Sequence, residues 1–166
     1  VEMSKGILPA SQMDTLATIA SAFDIITWDL SKDAEGNYKN NPCVNSTDYY
    51  GRIACGANGE QWTITKVDLS AEWGNADKSF PSALMSNISA GLPDLLELDL
   101  SSNYFVGDIP SAGWPTTLET LDLGDNALSG TVPWDEILAL PALKSLNVKK
   151  NKLEGEMPAA AFTSLV

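Results

Sequence analysis

Two aspartates raise the first chemical question. Asp99 and Asp122 each stand between leucines, in Leu98-Asp99-Leu100 and Leu121-Asp122-Leu123. Paired carboxylates can act as acid and base, as in glycoside hydrolysis, or bridge a calcium ion. On neighbouring parallel strands they would stand roughly 5 Å apart, one sheet spacing. In water that pair repels by only about 1 kcal/mol, so it needs no catalytic reason to exist, and no calcium-loop motif accompanies it. The chain has no histidine, which removes Ser-His-Asp and Cys-His catalysis and His-bearing zinc sites. It has no GxxxxGK[ST] segment, and Gly124-Asp125-Asn126 reads as a turn rather than a phosphate cradle. These residues point away from an enzyme, and no cofactor or metal is expected.

The elements that must position the aspartates come from a repeat. LPDLLELDLSSNYFVGDIP runs from Leu92 to Pro110, PTTLETLDLGDNALSGTVP from Pro115 to Pro133, and LPALKSLNVKKNKLEGEMP from Leu140 to Pro158. A degenerate earlier copy, ITKVDLSAEWGNADKSFP, places Ile64, Val67 and Leu69 in the apolar positions and ends on Phe80-Pro81. In each copy Leu-x-Leu is a short strand, with leucines on one side and the intervening residues on the other. One such strand cannot bury its leucines. Parallel strands stacked at roughly 4.8 Å per coil merge them into one core. Asn103, Asn126 and Asn151 follow where the chain turns, and their amides can satisfy backbone groups that the turn orphans, forming a ladder. Gly then permits a tight bend, and Ile-Pro adds one more core side chain and a rigid exit.

The spacing also predicts an exposed polar face. Its strand positions are Lys66, Asp68 and Ser70, then Glu97, Asp99 and Ser101, then Thr120, Asp122 and Gly124, then Ser145, Asn147 and Lys149; Ser102, Asp125 and Lys150 lie just beyond. This face lacks the aromatic anchors that usually dominate binding. Tyr104, Trp114 and Trp134 fall nearer the rim, and the two tryptophans are expected to pack on the convex side. A partner on this face would be basic or polar.

The repeat resembles the plant-type leucine-rich-repeat class, with consensus LxxLxLxxNxLxGxIP, known from plant receptor ectodomains, polygalacturonase inhibitors and protist surface antigens. The resemblance implies an α/β repeat solenoid with a parallel concave sheet that binds another protein. It divides the chain into a cap, residues 1–61, and about four coils, residues 62–166, the first degenerate. Within the cap, SQMDTLATIASAFDIITW predicts a helix over about 11–27, with Ser11 and Asp14 as a capping box. Met13, Leu16, Ala20, Phe23 and Ile26 form its buried stripe. Trp28, Pro42-Cys43 and Gly51-Arg52-Ile53-Ala54-Cys55 match the order of extracellular caps in the class, which implies a Cys43–Cys55 disulfide. Two free buried thiols are the alternative. The first coil departs from the pattern at Glu72 and Gly74, and the longer run from Pro81 to Leu98 should bulge on the convex or lateral side.

Composition agrees with a folded, secreted chain. The formal net charge of -12 argues against nucleic-acid and anionic-membrane surfaces. Residues 79–143 hold nine acids and no base, whereas residues 144–166 hold four lysines against two glutamates, so the acidic middle meets a basic end. No apolar run is long enough to span a membrane. Asn45-Ser46-Thr47 and Asn87-Ile88-Ser89 are glycosylation sequons, which would matter outside the cell. Val1 reads as a processed or trimmed start, and the run after Pro158 reads as an open last coil that is continued in a longer chain, docked on a partner or a second copy, or sufficient as a partial coil. The function expected is extracellular protein recognition or adhesion. The alternatives are a structural subunit that self-associates through that coil and, by resemblance, an enzyme inhibitor.

Overall fold

The computed structural model describes residues 8–23, 30–36, 38, 42–43, 52–58, 61–71, 78–80, 82–159 and 161. Helix α1 covers Ala10–Phe23. Its buried face, Gln12, Met13, Thr15, Leu16, Ile19, Ala20 and Phe23, follows the helical repeat; Ile26 lies outside the described residues. The capping-box reading fails, because Ser11 lies inside the helix and Asp14 faces a neighbouring loop. The Asp14 carboxylate accepts hydrogen bonds from the Tyr38 hydroxyl (2.6 Å) and the Lys32 ammonium (3.2 Å). Those two bonds hold the Asp14 carboxyl below its ordinary pKa, and the bond to Asp14 raises that of Lys32. The turn of α1 is instead closed by the Pro9 carbonyl, which accepts from the Gln12 and Met13 amides.

Strands β1 (Ile53–Asn58) and β2 (Gln61–Asp68) form an antiparallel hairpin. Gln12 plugs α1 onto it: its Nε2 donates to Thr63 Oγ1 at 3.0 Å and its Oε1 accepts from the Ile64 amide at 2.9 Å. A buried glutamine satisfied at both ends is tolerated where an unpaired one would not be. Short strand β3 (Lys78–Ser79) and helix α2 (Ser82–Gly91) follow. The expected bulge is thus a helix, with Leu84, Met85 and Ile88 buried at helical spacing and α2 packed on α1. Gly91 permits that packing, since the Thr15 side chain occupies the space a Cβ would need.

The coils then alternate between two sheets. Strands β4 (Glu97–Asp99), β6 (Thr120–Asp122) and β8 (Ser145–Asn147) extend β2 in parallel, while β5 (Phe105–Asp108) and β7 (Ala127–Ser129) continue β3. Among the described residues the orders are β1-β2-β4-β6-β8 and β3-β5-β7. A five-residue helix, α3 (Trp134–Leu138), connects the last two coils. Between the sheets, Val67, Leu98 and Leu121 form one buried row and Leu69, Leu100 and Leu123 the next. Phe80 packs against both Phe105 and Trp114, and the Trp114 indole donates to the Pro110 carbonyl at 2.9 Å. Ile109 and Val132 fill the core as the Ile-Pro reading expects, but Met157, at the same point of the last coil, is 49% exposed. Leu146 and Val148, which continue the two leucine rows, are likewise only partly buried, because no strand beyond β8 stacks on them among the described residues.

A disulfide joins Cys43 to Cys55, with Cα atoms 5.6 Å apart. It ties the loop before the hairpin to β1. Closing a loop of this size restricts the unfolded chain, so the double variant Cys43→Ala/Cys55→Ala should lose about 3 kcal/mol of stability. Urea unfolding checks this, and an unchanged midpoint would make the bond dispensable to the cap.

Candidate functional site

The exposed face is built by register. Lys66, Glu97, Thr120 and Ser145 pair in one row across the sheet, and Asp68, Asp99, Asp122 and Asn147 in the next. Side chains alternate along a strand, so both rows share the side opposite the leucines. Each member of the second row accepts from the backbone amide two residues on: Ser70, Ser101, Gly124 and Lys149, at 2.8–3.1 Å. These short bonds turn the chain out of the strand. Ala71, Ser102, Asp125 and Lys150 then take positive φ of 55–58°. A left-handed conformation costs an ordinary residue roughly 1–2 kcal/mol, and the asparagine that follows in the clean copies offsets this.

In those copies the asparagine works as expected. Asn103 Nδ2 donates to the carbonyls of Leu69, Leu100 and Ser101 at 2.8–3.1 Å. Asn126 and Asn151 donate to Leu100 and Leu123 of the preceding coil and to carbonyls of their own. Asn126 Oδ1 accepts the amides of Asn103 and Phe105, and Asn151 Oδ1 that of Leu128. The ladder therefore fixes the turn at the rim of the face.

Charge on the face is largely paired between adjacent strands. Lys66 meets Glu97 at 3.3 Å, Lys144 meets Glu119 at 2.7 Å, and Lys150 meets Asp125 at 3.4 Å. The expected basic end is thus partly neutralised by the acids of the preceding coil. Arg52, which the sequence reading passed over, lies 3.3 Å from Asp68 and donates to the Ser70 carbonyl at 2.8 Å. Asn147 Nδ2 donates to both oxygens of Asp122 at 2.9 and 3.0 Å. Two of the exposed large apolar side chains, Leu96 at 37% and Tyr104 at 50%, belong to the second coil, just before β4 and just beyond the turn that follows it.

Elsewhere, Asn87 is exposed on α2 while Ile88 beside it is buried; Asn45 lies outside the described residues. Among the described residues no group of three or more Asp, Glu or Cys stands together to hold a metal ion, and no helix is long and apolar enough to cross a membrane.

Two leucine-rich-repeat family models match the chain, over residues 94–114 and 115–131, the stretch that carries β4 to β7. Those residues are leucine-rich repeats, and the chain folds as a leucine-rich-repeat solenoid. This leucine-rich-repeat chain is 44% identical over 108 residues to Receptor-like protein 35 of Arabidopsis thaliana, covering 63% of the chain and 11% of the relative. It is 41% identical over 63 residues to Polygalacturonase inhibitor 1 of the same plant, covering 37% and 18%. Among solved structures, the plant peptide hormone receptor RGFR1 in complex with RGF2 superposes with a TM-score of 0.53 at 33% identity, covering 69% of this chain and 16% of that one. The leucine-rich-repeat chain thus spans well under a fifth of these two receptors.

Proposed function

We propose that this protein recognises another protein, outside the cell or at its surface, through the concave five-stranded sheet and its rims. The observation that carries this reading is the pair of in-register rows of partly exposed polar side chains, held in place by strand pairing and short side-chain bonds. A surface ordered in advance gives up little conformational freedom on binding. The match to a plant peptide hormone receptor supports the same reading. The disulfide and the exposed sequon asparagine Asn87 support an oxidising, extracellular setting.

The binding residues proposed are Lys66, Asp68, Ser70, Glu97, Asp99, Ser101, Thr120, Asp122, Asp125, Ser145, Asn147 and Lys149. The test is affinity capture from a secreted-protein fraction with the native chain and with Glu97→Ala/Asp99→Ala/Asp122→Ala, after circular dichroism has shown equal folding. Capture of one partner by the native chain alone supports the face. Equal capture by both chains would move the site elsewhere on the molecule.

One observation favours a second reading, a self-associating structural subunit. Among the described residues no strand stacks beyond β8, where Leu146 and Val148 retain exposure and Met157 is half exposed. Sedimentation velocity across a concentration series separates the readings. A concentration-dependent dimer abolished by Val148→Asp would establish it, and a monomer throughout would remove it.

A further inference from the structure

The polar rows are not uniform, and the departure falls on one coil. Asp68 is engaged by Arg52, Asp122 by Asn147, and Glu97 by Lys66. Asp99, between Asp68 and Asp122, accepts only the Ser101 amide on Oδ1, and among the described residues no side chain bonds it. The carboxylate at the centre of the acidic row is therefore the one without a cation or amide of its own.

The same coil carries the two exposed apolar anchors. Leu96 and Tyr104 flank the strand of Asp99, one before it and one beyond its turn. The equivalent positions hold Glu119 and Ala127 in the third coil, and Lys144 and Lys152 in the fourth. Tyr104 is also held in an unusual way. Its φ is +58°, rare for a bulky side chain. It persists because Asn126 Oδ1 accepts the amides on both sides of it, those of Asn103 and Phe105, at 3.0 Å each. The ring is thus presented to solvent on a backbone that is already fixed. Tyrosine in such a position is a frequent binding anchor.

We propose that the second coil is the specificity centre of the recognition face, and that it takes an extended segment of a partner polypeptide. One lysine or arginine of that segment sets its cation against Asp99, and apolar residues on either side cover Leu96 and Tyr104. Charge complementarity selects this occupant. A cation at Asp99 is attracted also by the carboxylate of Asp122 on the adjacent strand, whose side-chain partner Asn147 is neutral, whereas an acidic segment is repelled by both. Arginine fits best, because its planar fork can meet the free edge of the Asp99 carboxylate with two parallel bonds.

The proposal rests on the protein-recognition reading and is tested so that the two fail differently. A phage-displayed random peptide library is selected on the native chain, and enriched sequences are resynthesised and titrated by fluorescence anisotropy. The expected peptides carry a lysine or arginine flanked by leucine or aromatic residues. Their affinity should fall by about tenfold in Asp99→Asn, fall again in Leu96→Ser and Tyr104→Ser, and weaken with added salt. Asp99→Asn keeps the fold, since Asn147 makes the same bond to its own second amide in the last coil. Enriched peptides that lack a basic residue, or that bind Asp99→Asn as tightly as the native chain, would overturn the second-coil assignment and leave protein recognition standing. No enrichment overturns the assignment as well, and an empty partner capture beside it removes the recognition reading.

Discussion

Asn103→Ala should lower stability by about 3 kcal/mol, read as an earlier urea midpoint at unchanged slope. The size follows from what each carbonyl retains. Asn103 is fully buried and donates to Leu69, Leu100 and Ser101. After truncation the Leu100 carbonyl still accepts from Asn126, and the Ser101 carbonyl from the Ala71 amide. The Leu69 carbonyl loses the Asn103 bond with no such second donor among the bonds described. A buried acceptor left without a donor costs about 1–3 kcal/mol, and the vacated space adds to that. Asn151 makes the corresponding bonds at the last coil, but it is partly exposed, so water replaces its amide. Asn151→Ala should therefore cost only about 1 kcal/mol. Equal losses at the two positions would mean that burial does not set the strength of the ladder.

This asparagine was legible from sequence because the turn it closes is local, although its bond to Leu69 reaches the preceding coil. The turn, the residue that closes it and the leucines before it all lie within one copy, and copying makes the pattern visible. The same holds for the polar rows, whose register follows once the copies are aligned, even though the asparagines are spaced unequally along the chain. What escaped was set by contacts between distant segments. Gln12 reads as an ordinary helix residue until β2 is placed beneath it. Arg52 gains meaning only when β1 lies antiparallel to β2, bringing it to Asp68. The signal for that hairpin was present, since Asn58 faces Gln61 across a two-residue connection that begins with Gly59. Helix α2 also had its signal in the spacing of Leu84, Met85 and Ile88, which the unequal coil length obscured. The pairing of the last lysines could not be foreseen from net charge. It depends on which acid the register sets opposite each one, as Glu119 opposite Lys144. The special standing of Asp99 has the same origin: its type is shared with Asp68 and Asp122, and only their partners distinguish it.

Phe105→Ala should cost more than any change on the face, about 4 kcal/mol. Phe105 is fully buried, and its ring lies 5.1 Å from that of Phe80 and 6.1 Å, edge-on, from that of Phe23. It therefore joins three segments, the cap helix α1, the end of the degenerate first coil, and the second coil. Aromatic contacts of this kind add about 0.5–1.5 kcal/mol to the burial itself. The degenerate first coil lacks the asparagine that secures the clean copies, since Glu72 stands in its place. Side-chain packing around Phe105 must then supply part of what the ladder supplies elsewhere. In a repeat stack, stability is close to a sum of units and their interfaces. Weakening this interface should accordingly detach the cap before the later coils unfold. Hydrogen exchange reads that order directly. In Phe105→Ala the amides of α1 and β3 should lose protection well before those of β6, whereas in the native chain they should open together. A loss below about 1 kcal/mol with protection still uniform would place the junction in the β1–β2 hairpin instead, leaving the aromatic cluster as filling.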